Sequence, residues 1–201
     1  MASTHIVVHE LFMGMSILQK SADYSDLVIT CGEEVLNVHR AIDAMTGKVE
    51  LKDEDAVLVQ HLVDHLYTLD YDYGLGAIRR LPDGEKVSAF WLEHYACKLA
   101  INMHELADKY GVQGLSELAT VKLEEIMLNL EFGPWKADDF VDQVYEKTCL
   151  VDRMCEVIVA QAVRDLDKLI GPSFHELIAK EPGFSMDVHT GCSRLVNRTE
   201  S

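Results

Sequence analysis

Near the start of the chain, Val8, Leu11, Phe12, Met15 and Leu18 recur at three- and four-residue spacing and form one apolar stripe of an amphipathic helix. Such a stripe needs a surface to lie on. The period then changes. Short apolar runs stand on either side of Cys31-Gly32-Glu33-Glu34, which predicts a β-hairpin that closes on His39-Arg40. A β-like run over 48–51 follows. Behind it, Asp53-Glu54-Asp55 supplies carboxylates suited to the positive end of a helix. Ala56, Val59, Leu62, Val63, Leu66 and Tyr67 continue that helix on one face.

Gly74, Gly76, Pro82, Asp83 and Gly84 interrupt the pattern and predict an irregular excursion. The cleanest helical stripe comes next: Leu92, Tyr95, Ala96, Leu99, Ala100, Met103, Leu106, Ala107 and Tyr110, with Gly111 placed as its left-handed end cap. Leu115, Leu118, Ala119, Leu123, Ile126, Met127 and Leu130 predict a second helix after so short a turn that the two should pack as an antiparallel pair. Gly133-Pro134 marks the expected boundary, because proline excludes the preceding residue from helical geometry. Beyond it lie a stripe of Phe140, Val141, Val144 and Tyr145 and a longer one from Val151 through Met154, Cys155, Ile158, Ala162 and Leu166 to Leu169, with Asp152 as cap. Ser173-Phe174-His175-Glu176 has the pattern of a capping box opening a short last helix through Leu177 and Ile178. From about Thr190 the chain reads as a frayed polar tail. The resulting division is an N-terminal helix over 1–20, a mixed domain over 21–132, a helical extension over 133–189 and a flexible tail over 190–201.

Composition narrows the function. With 201 residues, 48% hydrophobic and only 4 Pro, the chain can bury a real core. Its 18 basic against 34 acidic side chains give a formal charge of −16, and no basic cluster larger than the pair Arg79-Arg80 offsets it, so nucleic acid and anionic membrane are not expected partners. The five cysteines are odd in number and form no C-x-x-C pair, which suits reduced, mostly buried thiols in the cytoplasm or nucleus. The apolar stretch Ile6 to Leu18 contains His9 and Glu10 and has no preceding basic residue, and it reads as neither signal peptide nor membrane anchor.

Catalytic patterns are thin. His61 and His65 stand at i and i+4 on the helix that follows the hairpin, with Asp64 between them, and could offer two imidazoles to one metal. No third His or Cys has ligand spacing. Gly74-Leu75-Gly76 lacks the third glycine of a phosphate-binding loop. Cys31 sits beside Glu33 and Glu34, the opposite of the basic setting that activates a thiol. Trp91 and Trp135 read as packing anchors. The expectation is no enzyme, no cofactor and no metal; the rivals are a small metal-dependent hydrolase built around His61 and His65, and a purely structural scaffold.

Ser25-Asp26-Leu27-Val28-Ile29, Val38-His39-Arg40, Leu66-Tyr67-Thr68-Leu69-Asp70-Tyr71 and Leu106-Ala107-Asp108-Lys109-Tyr110 together resemble, in order and spacing, the BTB/POZ family, and most closely the short fungal-type members. Val144-Tyr145 with Thr148, then Phe174 to Phe184, resembles their helical extension. The resemblance implies an α+β fold, a BTB/POZ-like small β-sheet flanked by helices and followed by an all-helical C-terminal extension. It also implies a protein-interaction module, commonly a homodimer, some members of which link substrates to the cullin scaffolds of ubiquitin ligases. By the same resemblance Asp26 and Arg40 line a charged pocket near the dimer contact, and His39 is a structural residue at the strand-to-helix corner. Candidate interaction residues are therefore Val8, Leu11, Phe12, Met15, Leu18, Asp26, His39 and Arg40. One departure stands out: the eight residues 41–48 separate Arg40 from Val49, where the family carries a helix and a loop. Eight residues reach about 26 Å extended but make barely two helical turns, so the cullin-facing surface is expected to be reduced.

Overall fold

The computed structural model describes residues 14–21, 23–39, 48–73, 89–129, 140–145 and 153–199. The described residues are mostly helical with a small three-stranded mixed sheet, α+β in general. It forms two compact units: unit 1 runs to Asp72 and includes Val112–Leu115, and unit 2 takes Tyr73–Gly111 and Ser116–Ser201.

Unit 1 begins with helix α1 (14–21) and strands β1 (Leu27–Cys31), β2 (Glu34–Val38) and β3 (Lys48–Glu50), followed by helix α2 (Ala56–Thr68). The predicted hairpin is present. β1 pairs antiparallel with β2, Ile29 opposite Leu36, across a two-residue turn whose first residue, Gly32, has φ +58°, a conformation open to glycine at little cost. The run expected over 48–51 is β3, parallel to β1 on its other side, so β1 is the central strand. Leu27, Ile29 and Cys31 alternate inward along it, as the two-residue period requires. They meet Val59, Val63 and Tyr67, spaced four apart on α2, while Met15, Leu36, Val49, Leu51 and Ala56 pack around the margin. Asp55 caps α2 as its acidic approach predicts, its carboxylate accepting from the Val57 N–H at 2.7 Å. At the other end Leu69 takes a left-handed φ of 56° and its N–H donates to the His65 carbonyl at 2.8 Å.

Unit 2 holds α3 (Ala89–Tyr110), most of α4 (Gln113–Asn129), α5 (140–145), α6 (Arg153–Arg164), α7 (Leu166–Leu169), α8 (Pro172–Lys180) and α9 (Pro182–Thr199). Gly111 ends α3 at φ +67°, and its N–H donates to the Asp108 carbonyl at 3.1 Å. The burial on α3 is wider than the predicted stripe, because Cys97 and Ile101 are buried alongside Ala96, Leu99, Ala100, Met103, Leu106 and Ala107. The expected boundary at Gly133-Pro134 lies outside the described residues. The compact units divide near Asp72, and residues 116–129 belong to the same unit as the C-terminal helices. Within unit 2 the Arg164 guanidinium on α6 donates to the carbonyls of Met127 at 2.9 Å and Leu128 at 3.4 Å, placing a cation on the negative end of α4.

Three local expectations need correction. The single stripe from Met154 to Leu169 is broken at Asp165, a buried carboxylate that accepts from Gln161 Nε2 at 2.8 Å and Lys168 Nζ at 3.1 Å. Its φ of −105° interrupts the helix, which resumes as α7. The capping box at Ser173 does not form. Pro172 starts α8 with Gly171 before it, since proline has its φ already set and lacks an N–H that the first turn could not use. Ser173 is exposed within the helix.

The third correction concerns the tail, which is helical through Thr199 rather than frayed from Thr190. Its helix, α9, lies close against α6: a Cβ on Gly191 would stand 3.0 Å from Val163 Cγ2 and 3.5 Å from Val159 Cγ1. Bare backbone is what permits that approach. Gly191→Leu is expected to lower stability by about 1–3 kcal/mol, the range for overpacking a filled contact. Chemical denaturation monitored by circular dichroism measures it, and a change within experimental error would show that α9 has room to spare.

Candidate interaction site at the strand–helix corner

β2 ends at Val38, and the next residue, His39, makes three hydrogen bonds that close a corner of unit 1. Its backbone N–H donates to the Tyr67 hydroxyl at 2.9 Å, its Nδ1 lies 2.6 Å from that same hydroxyl, and its Nε2 lies 2.8 Å from the Asp23 carbonyl. The partners decide the tautomer. A carbonyl oxygen only accepts, so Nε2 carries the proton, which leaves Nδ1 as the acceptor of the Tyr67 O–H. Tyr67 thus accepts from one group of His39 and donates to another.

The environment holds the phenol in its donor form. Burial pushes the Tyr67 hydroxyl pKa up, the Asp26 carboxylate pushes it further, and the His39 N–H opposes them. One imidazole thereby joins the end of β2, the last turn of α2 and the segment that enters β1. By this geometry His39 is a structural lock within unit 1.

The other candidates separate. Asp26 stands near this corner, its N–H donating to the Val38 carbonyl at 3.1 Å and its side chain exposed. Arg40, Val8, Leu11 and Phe12 lie outside the described residues. Met15 turns inward against the core of unit 1, whereas Leu18 is 38% exposed, and its neighbour Ile17 is 62% exposed. Tyr24, beside the corner, is 90% exposed and holds φ at +63°, unusual for a bulky residue.

Sequence reasoning missed two contributors. Tyr67 read as part of an apolar stripe and of a segment that carries the family resemblance, with no partner assigned to its hydroxyl, although a buried tyrosine signals that its hydroxyl needs one. Gln19 carried no signal at all, yet its Nε2 donates to Asp64 Oδ1 at 2.5 Å and so holds α1 to α2. Gln60 Nε2 donates to the same oxygen at 2.8 Å.

His61 and His65, the residues of the metal-enzyme alternative, are both buried on α2. His61 Nδ1 lies 3.9 Å from Asp64 Oδ2. Burial lowers the pKa of each ring: at His61 it outweighs Asp64, Asp72 and Asp55, which favour the cation, and at His65 it outweighs Asp70. Among the described residues no group of three His, Cys, Asp or Glu side chains is placed to hold a metal ion. Cys31 is buried, with its thiol donating to the Glu54 carbonyl at 3.1 Å. Burial first, then the charges of Glu54 and Asp55, push its pKa up. The acidic setting expected from Glu33 and Glu34 comes from these two residues.

No helix among the described residues is long and apolar enough to cross a membrane. Neither a protein-family model nor a curated protein matches the chain.

Proposed function

We propose that the chain is a protein-interaction module of the BTB/POZ kind that associates with a second copy of itself. The observation that carries the reading is the seating of α1. Met15 rests on the core of unit 1 and Gln19 is bonded to Asp64, so the helix is held in place, while Ile17 and Leu18 remain turned out to solvent. Apolar side chains on an anchored helix form a ready contact surface, and the exposed Tyr24 adds an aromatic group of the type favoured at interface centres. The formal charge of −16 directs any further partner toward basic or neutral surfaces.

Light scattering at micromolar concentration tests this on the intact chain and on a variant carrying Ile17→Glu and Leu18→Glu. The expected result is twice the chain mass for the first and a single chain mass for the second. An intact chain that is monomeric refutes self-association, and a variant that stays dimeric removes α1 from the interface. A substrate adaptor on a cullin scaffold is the narrower form of the reading. The eight-residue link over 41–48 argues that such a contact is weak, because a standard interface buries about 800 Å² on each partner and the helix that would add to it is cut short.

A further inference from the structure

Two parts of unit 1 that come to α2 from elsewhere in the chain each meet it beside a buried histidine. α1 does so at Asp64: Oδ1 accepts from Gln19 and Gln60, while Oδ2 faces His61 Nδ1 at 3.9 Å. The segment Val112–Leu115 does so at His65, where a Cβ on Gly114 would stand 3.8 Å from Nε2. The two rings are 9% and 5% exposed, and the Nδ1 of each makes no hydrogen bond among the described residues. We infer that α2 is an acid-sensitive clasp, in which protonation of His61 and His65 loosens α1 and Val112–Leu115 from unit 1.

The chemistry at each ring supports release. A proton on His61 creates a cation in a site that keeps water away, with the Tyr71 ring 5.9 Å from its own. Asp64 is its nearest carboxylate, with Asp72 and Asp55 acting from farther off. Either the imidazolium draws Asp64 toward itself or the ring turns outward to water, and both disturb the carboxylate that holds Gln19. At His65 the proton on Nδ1 finds no acceptor among the described residues, and Asp70 is the carboxylate that acts on the ring. Nε2 faces Gly114 in the first turn of α4, the positive end of that helix's dipole, which disfavours a cation.

The direction with pH follows from burial. Both rings have pKa values lowered from the ordinary 6.5, so the undocked state binds protons more readily than the docked state. Docking is at full strength above about pH 6.5 and weakens as pH falls from there through the lowered values. One pH unit below the ordinary value, each histidine can shift its docking equilibrium by up to about tenfold.

Hydrogen exchange of the full chain at pH 7.5 and 5.5, expressed as protection factors, tests the clasp. The expected result is a fall of up to about tenfold over 14–21 and 112–115 at the lower pH, while α6 and α9 keep their protection. His61→Gln should remove the pH dependence of 14–21, and His65→Gln that of 112–115. Unchanged protection in the native chain overturns the inference. So does a fall shared equally by α6 and α9, or pH dependence that survives both substitutions. The native chain is decisive even if a variant fails to fold.

Discussion

Phe184→Ala is expected to destabilise unit 2 by about 3–5 kcal/mol, the range for emptying a large buried aromatic site. Phe184 has no exposed surface and stands where three helices meet. Its ring is T-shaped to Tyr145 on α5, centroids 5.7 Å apart, and to Phe174 on α8 at 6.4 Å. Edge-to-face geometry adds about 0.5–1.5 kcal/mol per pair to the area removed from water. The cavity would also undermine polar contacts at its border. Tyr145 donates its O–H to Asp187 Oδ2 at 2.8 Å, and Asp142 pairs with Lys180, so α5 is tied to both α8 and α9 around the aromatic cluster. Burial, followed by the Asp187 hydrogen bond, pushes the Tyr145 hydroxyl far above its usual range and keeps it a donor at any ordinary pH. Denaturant titration of the variant measures the loss. A cost under about 1 kcal/mol would mean that the three helices close over the gap, and that this cluster does not organise the unit.

Tyr67→Phe is expected to cost about 1–3 kcal/mol in unit 1 although it removes a single oxygen atom. That oxygen serves two partners, so its loss strands both the His39 N–H and the Nδ1 lone pair, and because His39 is only half-buried the two together cost about what one fully buried unsatisfied group does. His39→Ala removes the ring but leaves the backbone N–H bonded to Tyr67. The pair should therefore be strongly non-additive: once Tyr67 is Phe, replacing His39 as well costs less than it does in the native chain. A double-mutant cycle by denaturant titration reads the coupling. Additive losses would show that His39 and Tyr67 stabilise the protein independently, contrary to the lock described above.

Asp55 and Gly111 show what local chemistry decides. A carboxylate two residues before Val57 can reach its N–H, and a glycine after Tyr110 can take the left-handed turn, whatever the rest of the molecule does. The hairpin follows from the same kind of information, because the two-residue period and the turn glycine lie within one short stretch. The stripe on α2 was legible for this reason too, as the spacing of Val59, Val63 and Tyr67 reflects helical geometry alone. A capping box is also a local signal, yet at Ser173 it lost to Pro172, one residue away.

The candidate site was half legible. The resemblance implied a structural role for His39, but its partner Tyr67 lies 28 residues along the chain, and no periodicity connects a strand end to a helix face. Gln19 and Asp64 are 45 residues apart, and Arg164 meets Met127 across 37. Gly191 reads as a helix-weakening residue in a polar tail until α6 is brought against it. The sequence by itself determined the hairpin, α2 and the helical runs of α3 and α4, since those depend on neighbours within a turn or a strand. Only the tertiary structure decided which polar groups pair, whether the tail is ordered, and that His61 and His65 are buried, because each of these depends on surfaces contributed by distant parts of the chain.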